Sequence, residues 1–552
     1  MDVTGQAPFA ATGARAARSF AVFGVFFAAA VLATWPWAAR LRDAAPDDVD
    51  TYVNTWRLWW GYHQTFTDPV HLFDGNIFFP HRDSLAFSET LYGVSVPLFP
   101  FFAAGLRPLA VHGVGTLLGL ALSAWATFRV ARALGAPASA AWVAGLAFGF
   151  APYRLGQLNH IGAIWAAGMP LALEALVRFA RARSARTVLG LAAALAWLGL
   201  TWVTWLLLAA LPLAVSAVVF GARENVLRER RFWLLGAASL LAALSVLAPF
   251  LLAYRRVAAT HAFVRSAEEA TFFSGRPSNW LDVAANNRFW TALKPPRMSG
   301  ERRLCPGVFL LTLAAAGLVL APGLSPGTRG LALAGAPWAL LGFVGSLGMH
   351  APFHRFLWDW APGFQSMRVP LRWAMVGLLG LALLAAAAVA RARQPALLGA
   401  LACAALLVEQ RAWPLVLATG APDPSPVARR LAALPLAGGV VELPARPPYL
   451  ALYTLRAADH GKPLIDADSS FIPESSARVG ALAAERPVPA ALLDHLESLP
   501  ASVVVVHGDL CTDEERAALE RFLEEGRAAG RLELLVRVPP ADAIWRVTRT
   551  GG

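Results

Sequence analysis

Long apolar segments recur along this chain as far as residue 408, and short polar stretches separate them. A helix that spans a membrane needs about 20 consecutive, mostly apolar residues. Segments that approach this length lie at 19–40, 88–108, 113–133, 139–155, 160–178, 187–202, 204–220, 232–253, 306–321, 330–348, 371–390 and 395–408. Because several of them are short, the pattern predicts an all-α polytopic transmembrane bundle of about 11–13 spans within residues 1–408.

The pattern changes after residue 408. Prolines at 414, 422, 424 and 426 indicate a linker over 409–426. Beyond it the sequence predicts short strands at 439–443, 502–507, 531–538 and 543–547, and Thr512 with Glu515 forms the signature of a capping box that begins an amphipathic helix. Residues 427–552 are therefore expected to form a small C-terminal α/β domain.

A short amphipathic helix is predicted directly after the first apolar segment, following Asp47 and Asp48. With 3.6 residues per turn, its aromatic rings form one stripe along the helix and its polar side chains lie on the opposite face. The rings are those of Tyr52, Trp56, Trp59 and Trp60, and the polar side chains are those of Asp50, Asn54 and Arg57. This arrangement predicts a helix that lies in the membrane interface, with its rings toward lipid and its polar side chains toward water.

Composition and charge support a membrane protein. Of the 552 residues 57% are hydrophobic and 15% are charged, against roughly 25% charged in soluble proteins. The net charge of +12 does not indicate a nucleic-acid partner, because residues 409–552 carry 19 acidic and 15 basic residues and the positive excess lies in loops between the apolar segments. Nothing resembles a nucleotide-binding loop, and the three cysteines have no metal-binding or redox spacing.

The arginine-rich loops predict the orientation in the membrane. Arginines cluster at 178–186, 223–231 and 391–393, and such clusters mark the cytoplasmic side. Loops 41–88, 254–306 and 348–373 and the C-terminal domain are then extracytoplasmic. If every segment before residue 178 crossed, the loop 178–186 would lie outside, so one segment within 88–178 is expected not to cross fully. The predicted location is a bacterial inner membrane, with a periplasmic C-terminal domain.

The order of these parts resembles the GT-C superfamily of integral-membrane glycosyltransferases, which use polyprenyl-phosphate-linked sugars. The motifs that carry the resemblance are an aspartate six residues before a Trp-x₂-Trp-Trp pattern, at Asp50, the segment 74–80 (Asp-Gly-Asn-Ile-Phe-Phe-Pro), and the segment 362–372 that holds Arg368 and Arg372. They look like those of a bacterial subgroup whose substrate is usually left unassigned. The resemblance implies a GT-C-like bundle, a lipid-linked sugar donor, and a glycan, lipid or protein acceptor.

In that superfamily an aspartate of the first outer loop serves as the base or contacts the acceptor, and a divalent metal lies near it in some members. By position Asp50 matches best, with Asp48 and Asp47 as further candidates. A carboxylate at the interface could deprotonate an acceptor hydroxyl. The alternative is that these carboxylates only favour the start of a helix. The sequence does not decide whether a metal or other cofactor is needed.

The leaving phosphate needs cations, and Arg368 and Arg372 stand four residues apart where the chain re-enters the membrane on the outer side. This spacing predicts that they share one face of a helix. The alternative is that they extend toward lipid headgroups. Further candidates for substrate binding are polar residues at the ends of apolar segments or on the polar face of the amphipathic helix. They are Asn54, Arg57, Glu89, Tyr153, Arg154 and His160.

The function expected from the sequence is transfer of a sugar from a polyprenyl-phosphate donor to an acceptor at the periplasmic face. One alternative is a transporter or flippase for a lipid-linked glycan, which would need ionisable residues in the middle of its spans. The nearest such residue is Glu174, close to the end of its segment. Another alternative is a non-catalytic assembly protein of the membrane. The sugar, the acceptor and the oligomeric state are not indicated.

Overall fold

A computed structural model describes residues 7–262, 265–298, 300–419 and 424–548. Residues 420–423 of the expected linker lie outside the described residues. In chain order the α-helices are α1 Ala7–Ala33, α2 Asp50–Thr67, α3 Tyr92–Ala103, α4 Pro108–Ala133, α5 Ala138–Phe150, α6 Pro152–Leu155, α7 Ile161–Ile164, α8 Gly168–Arg181, α9 Ala185–Thr201, α10 Val203–Arg223, α11 Arg230–Thr260, α12 Ala267–Phe272, α13 Arg288–Thr291, α14 Val308–Val319, α15 Gly330–Ser346, α16 Pro352–Trp360, α17 Trp373–Arg391, α18 Pro395–Glu409, α19 Pro426–Ala433, α20 Tyr449–His460, α21 Glu474–Ala484, α22 Ala491–Ser498 and α23 Asp513–Ala528. The strands are β1 Ala44–Ala45, β2 Ala418–Thr419, β3 Gly439–Leu443, β4 Ala501–His507, β5 Leu532–Val538 and β6 Asp542–Val547.

Six helical segments of the described residues are long and apolar enough to cross a membrane. They are Ala16–Ala33, Pro108–Ala133, Ile161–Arg181, Val203–Arg223, Arg230–Thr260 and Pro370–Arg391. Five of the other predicted positions hold apolar helices of 10–17 residues, and α5 has 13 residues. The largely helical fold with several apolar helices and a small sheet is confirmed, and the number of crossings stays a prediction.

The chain folds into two compact units, each assembled from segments that are distant in the sequence. Unit 1 comprises Met1–Arg40, Gly113–Ala248 and Val264–Val416, and unit 2 comprises Leu41–His112, Pro249–Phe263 and Leu417–Gly552. The division differs from the domain boundaries expected from the sequence, because segments of the first and second outer loops group with the C-terminal residues.

Unit 1 is a helical bundle built around α17, which contacts α5, α14 and α15. Glycines let these backbones approach closely. A Cβ on Gly342 of α15 would lie 2.0 Å from the backbone nitrogen of Gly377, and one on Gly380 of α17 would lie 2.1 Å from that of Ala339. Small residues at such contacts are typical of helix packing in membranes.

Unit 2 contains a four-stranded mixed sheet with the strand order β3-β4-β6-β5. Strand β3 runs parallel to β4, and the other two pairs are antiparallel. Successive side chains of β4 point to opposite faces, so Val504 and Val506 pack with α21, α22 and α23 while Val503 and Val505 join the core formed with α2 and α20. The predicted strands and the capping box between Thr512 and Glu515 are confirmed.

The expectation that the rings of α2 face lipid is wrong for Trp56 and Trp60. Trp56 is 1% exposed and Trp60 is 6% exposed, and both belong to the core that includes the sheet. Their indole N–H groups donate to protein oxygens, from Trp56 Nε1 to Asn76 Oδ1 at 2.8 Å and from Trp60 Nε1 to the Leu72 carbonyl at 2.9 Å. The apolar stripe was predicted correctly, but protein covers it because α20 packs along α2.

The polar face of α2 is also buried. Asn54 is 6% exposed and Arg57 is 9% exposed, so this face does not point to water as expected.

Candidate functional site

The three aspartates near the start of α2 have different surroundings. Asp47 Oδ1 accepts a hydrogen bond from the backbone N–H of Thr51 at 2.9 Å, so this carboxylate satisfies a donor at the helix N-terminus. Asp48 is exposed to solvent. Asp50 is partly buried at the first position of α2 and interacts with Arg57, two turns further along the helix. Asp47 therefore supports the start of α2, and Asp50 is the one of the three that interacts with Arg57.

Arg57 lies at the centre of a polar cluster in unit 2. Its Nη1 donates to Asn54 Oδ1 at 2.7 Å, and its guanidinium interacts electrostatically with Asp50, Asp468, Glu89 and Tyr254. We call these residues the Arg57 cluster: Asp50, Asn54, Arg57, Glu89, Tyr254 and Asp468. Burial lowers the pKa of Arg57, and the surrounding carboxylates act to raise it. A buried cation is tolerated here because anionic groups compensate its charge.

Asp468 was not predicted from the sequence as a site residue. It lies in the loop between α20 and α21, where its backbone N–H donates to Thr454 Oγ1 at 3.0 Å. Burial raises the pKa of Asp468, Arg57 lowers it and Asp50 raises it again, and the net direction is upward. A carboxylate with a raised pKa is a better proton acceptor than an ordinary one. The sequence feature that could have identified Asp468 is the polar run Asp466-Ala-Asp-Ser-Ser470 between two apolar segments.

Glu89 and Tyr254 complete the Arg57 cluster from two further parts of unit 2. Glu89 precedes α3, and Tyr254 belongs to the last turns of α11. The Tyr254 hydroxyl accepts a hydrogen bond from the backbone N–H of Thr90 at 3.0 Å, which places the ring beside Glu89. The structure therefore brings together four predicted residues, Asp50, Asn54, Arg57 and Glu89, with two that were not predicted as site residues.

Arg368 and Arg372 belong to unit 1, where they do not share a helical face as the sequence suggested. Arg368 lies in a bend, and Arg372 ends the 3₁₀ turn Pro370–Arg372. The reason is Pro370, because a proline disfavours helical backbone at the residue before it. Their spacing of four residues therefore carries no helical geometry.

Each of these arginines contacts a glutamate of the loop 254–306. Arg368 Nε lies 2.9 Å from Glu269 Oε1, and Arg372 Nη2 lies 3.0 Å from Glu301 Oε1. His160 Nε2 stands 3.7 Å from the same Glu301 oxygen. Burial would raise the pKa of Glu301, but Arg372 and His160 hold it below its ordinary value.

Arg265 adds a third cation, with its Nη1 3.5 Å from Glu269 Oε2. We call the six residues that make these contacts the Arg372 cluster: His160, Arg265, Glu269, Glu301, Arg368 and Arg372. Within it three arginines face two glutamates. The guanidinium of Arg372 also lies over the Trp202 ring, 4.6 Å from its centroid, which fixes its position.

Tyr153 and Arg154 are buried in α6, and Arg154 has no exposed surface. Its Nη2 donates to the Ile164 carbonyl at 2.7 Å and its Nε to the Gly149 carbonyl at 3.2 Å. These carbonyls lie at the ends of α7 and α5, where helices leave acceptors without intrahelical partners. The contacts of Arg154 therefore indicate a structural role in joining the short helices.

The carboxylates of the Arg57 cluster do not converge as metal ligands do. Within the part of the chain that the structure describes, the group of three His, Cys, Asp or Glu side chains close enough to hold one ion is His507, Asp509 and Asp542. In the Arg57 cluster the guanidinium itself supplies a counter-charge to the surrounding carboxylates.

No protein-family model matches the chain, and no curated protein matches it at a significant level.

Proposed function

We propose that this protein is a bacterial inner-membrane glycosyltransferase that moves a sugar from a polyprenyl-phosphate donor to an acceptor at the periplasmic face. The observation that carries the proposal is the Arg57 cluster, in which Asp50 and Asp468 flank one buried arginine. A protein that only needed stability would gain little from several ionisable groups around one buried charge, because their desolvation is costly. Ionisable groups whose pKa is shifted by burial and by a specific charged partner, such as Arg57 and Asp468, are typical of functional sites.

The chemistry assigned to this cluster is activation of an acceptor hydroxyl. Asp50 or Asp468 takes the hydroxyl proton as the acceptor oxygen attacks the anomeric carbon of the donor sugar, and the bond from that carbon to the phosphate oxygen breaks. The positive charge of Arg57 acts to lower the pKa of Asp468 and so opposes the effect of burial on this carboxyl group. The Asn54 amide accepts from Arg57 and so fixes the guanidinium.

The residues that we propose to bind the donor phosphate all belong to unit 1. The Arg372 cluster carries one more arginine than glutamates, and Arg372 Nε is buried without a hydrogen-bond partner among the described residues. An anion with several oxygens would supply that partner, and guanidinium groups bind phosphate through paired N–H donors. In this proposal the Arg372 cluster is a binding site for a phosphate group of the kind that a lipid-linked sugar carries.

A transporter or flippase is less well supported. It would need an ionisable group in the middle of a span that is available to a substrate, and the nearest candidate, Glu174, is already held in ion pairs. Glu174 is 2% exposed, but its Oε1 lies 3.0 Å from Arg129 Nη2 and 2.5 Å from Arg178 Nη2. The two ion pairs hold this carboxylate in a fixed position near the end of α8. No observation specifically favours an assembly role.

The test is sugar transfer by the full-length protein in proteoliposomes, with a panel of radiolabelled polyprenyl-phosphate hexoses and pentoses and a membrane extract as the source of acceptor. Asp50→Asn and Asp468→Asn should each lower the rate by about 100-fold or more if that residue is the base. Asp48→Asn is the matched control, because this neighbouring aspartate is exposed. Transfer at the wild-type rate in both Asp50→Asn and Asp468→Asn would refute the assigned chemistry.

A further inference from the structure

The C-terminal end of β4 carries a second group of ionisable side chains, away from the Arg57 cluster in the sequence. His507 is the last residue of β4 and pairs in register with Asp542, the first residue of β6. Asp509 follows in the turn after β4. One ligand atom from each side chain lies within 4.8 Å of the other two, and His507 Nδ1 stands 3.5 Å from Asp542 Oδ2.

These separations are close to those of a metal site. Ligands at about 2.0–2.2 Å from a Zn²⁺ ion stand about 3–4 Å apart, so shifts of about 1 Å would bring the three side chains to bonding distance. The backbone already brings the two loops together at Gly508, where a Cβ would lie 2.3 Å from the carbonyl oxygen of Ala541. Glycine at this position therefore allows the turn after β4 to approach the start of β6.

The His507 ring is held in the orientation that a metal ligand needs. It is 1% exposed and stacks on Tyr453, with the ring centroids 5.0 Å apart. Its Nε2 lies 2.6 Å from Glu442 Oε2, and Glu442 is itself buried between His507 and His460. Metal-bound histidines usually donate their other ring N–H to a carboxylate in this way, which leaves Nδ1 free to bind the ion.

An independent sign of a missing partner comes from Asp542. Its Oδ1 is fully buried and accepts no hydrogen bond among the described residues. A buried carboxylate oxygen without a partner is costly. Ion pairing of His507 with Asp542 and Glu442 explains the other contacts, but it gives Asp542 Oδ1 no partner and Asp509 no role.

We propose that His507, Asp509 and Asp542 form a binding site for a divalent transition-metal cation of the Zn²⁺ class. One imidazole nitrogen with two carboxylates suits Zn²⁺ better than Mg²⁺ or Ca²⁺, which prefer oxygen ligands throughout. Water completes the coordination on the exposed side of Asp509. The ion would tie the turn after β4 to the hairpin of β5 and β6. This inference is independent of the proposed glycosyl transfer, since it uses none of the residues assigned to that reaction.

The experiment measures Zn²⁺ directly on the full-length protein in detergent, with any affinity tag removed. After incubation with ZnCl₂ and gel filtration, metal analysis should give about one Zn²⁺ per chain for the wild type. Asp509→Asn and Asp542→Asn should each retain less than about a tenth of that amount. Glu442→Gln, which removes the carboxylate behind His507 but none of the three proposed ligands, should weaken binding by about 10–100-fold in a titration.

Asp513→Asn is the matched control, because this aspartate is fully exposed at the start of α23. It should bind as much Zn²⁺ as the wild type. Asp509 is also exposed, so its variant should fold normally, which circular dichroism would verify. A wild-type protein that keeps no more Zn²⁺ than Asp509→Asn, or equal losses in Asp509→Asn and Asp513→Asn, would overturn the proposal.

Discussion

Replacing Trp56 with phenylalanine tests whether α2 is a buried helix of unit 2 or a helix at a lipid surface. Trp56 Nε1 donates to Asn76 Oδ1 at 2.8 Å, and Asn76 Nδ2 in turn donates to the Ala457 carbonyl of α20 at 3.1 Å. The substitution keeps an aromatic ring but removes the donor, so Asn76 keeps a buried oxygen without its partner.

The expected cost follows from these contacts. A buried acceptor without a donor costs about 1–3 kcal/mol, and the smaller ring leaves a void that adds about 1 kcal/mol. A total of about 2–4 kcal/mol should lower the apparent Tm of a unit of this size by about 5–12 °C. At a helix that only lay in lipid, phenylalanine would replace tryptophan with little loss.

The assay is thermal unfolding of purified protein in detergent at one fixed scan rate, because the unfolding of such proteins is often irreversible. Trp59→Phe is the matched control. It makes the same exchange on the same helix, at a ring that is only partly buried and stacks on His63 with centroids 4.8 Å apart. If Trp56→Phe lowers the apparent Tm no more than Trp59→Phe does, the buried position of α2 is refuted.

Three further predictions concern pH, phosphate binding and orientation. Burial raises the pKa of Asp466 from 3.8 to about 7, so between these values the folded state keeps a proton that the unfolded chain loses, and this residue lowers stability as the pH rises from about 4 to about 7. The gain in apparent Tm of Asp466→Asn over the wild type should therefore grow across that pH range, and a constant difference would contradict this. Arg368→Lys keeps the charge but loses the planar donor pair, so the KM for the polyprenyl-phosphate sugar should rise about tenfold with the acceptor KM unchanged; an unchanged donor KM would remove Arg368 from the phosphate site. A reporter active only in the periplasm, fused after Gly552, should give signal, and signal only from a cytoplasmic reporter would reverse the predicted orientation.

The sequence predicted local features well because they depend on neighbours in the chain. The position of β4 followed from its run of valines, and the capping box followed from Thr512 and Glu515 three residues apart. The stripe of Trp56 and Trp60 was also correct as a pattern. A hydrophobic stripe does not reveal whether lipid or protein covers it, and here the partner helix α20 belongs to the C-terminal part of the chain.

The candidate site shows the same limit. Asp50, Arg57 and Glu89 were recognised because charged residues stand out beside apolar segments. Asp468 was missed because only the folded chain brings its loop to Arg57, and no spacing in the sequence encodes that approach. The helical face expected for Arg368 and Arg372 failed for a local reason, since Pro370 stands between them.

The hydrogen bond between Asn76 and Ala457 has a consequence for biogenesis. It joins residues 381 positions apart, and the core that covers Trp56 also includes Val505 and Ile544. A ribosome must therefore complete almost the whole chain before α2 can be covered, and until then its indole rings remain exposed on a nascent protein. Cells that make this protein should depend on a chaperone to protect that segment during synthesis. A truncated chain that ends before β4 would then be an aggregation-prone fragment that quality-control proteases remove.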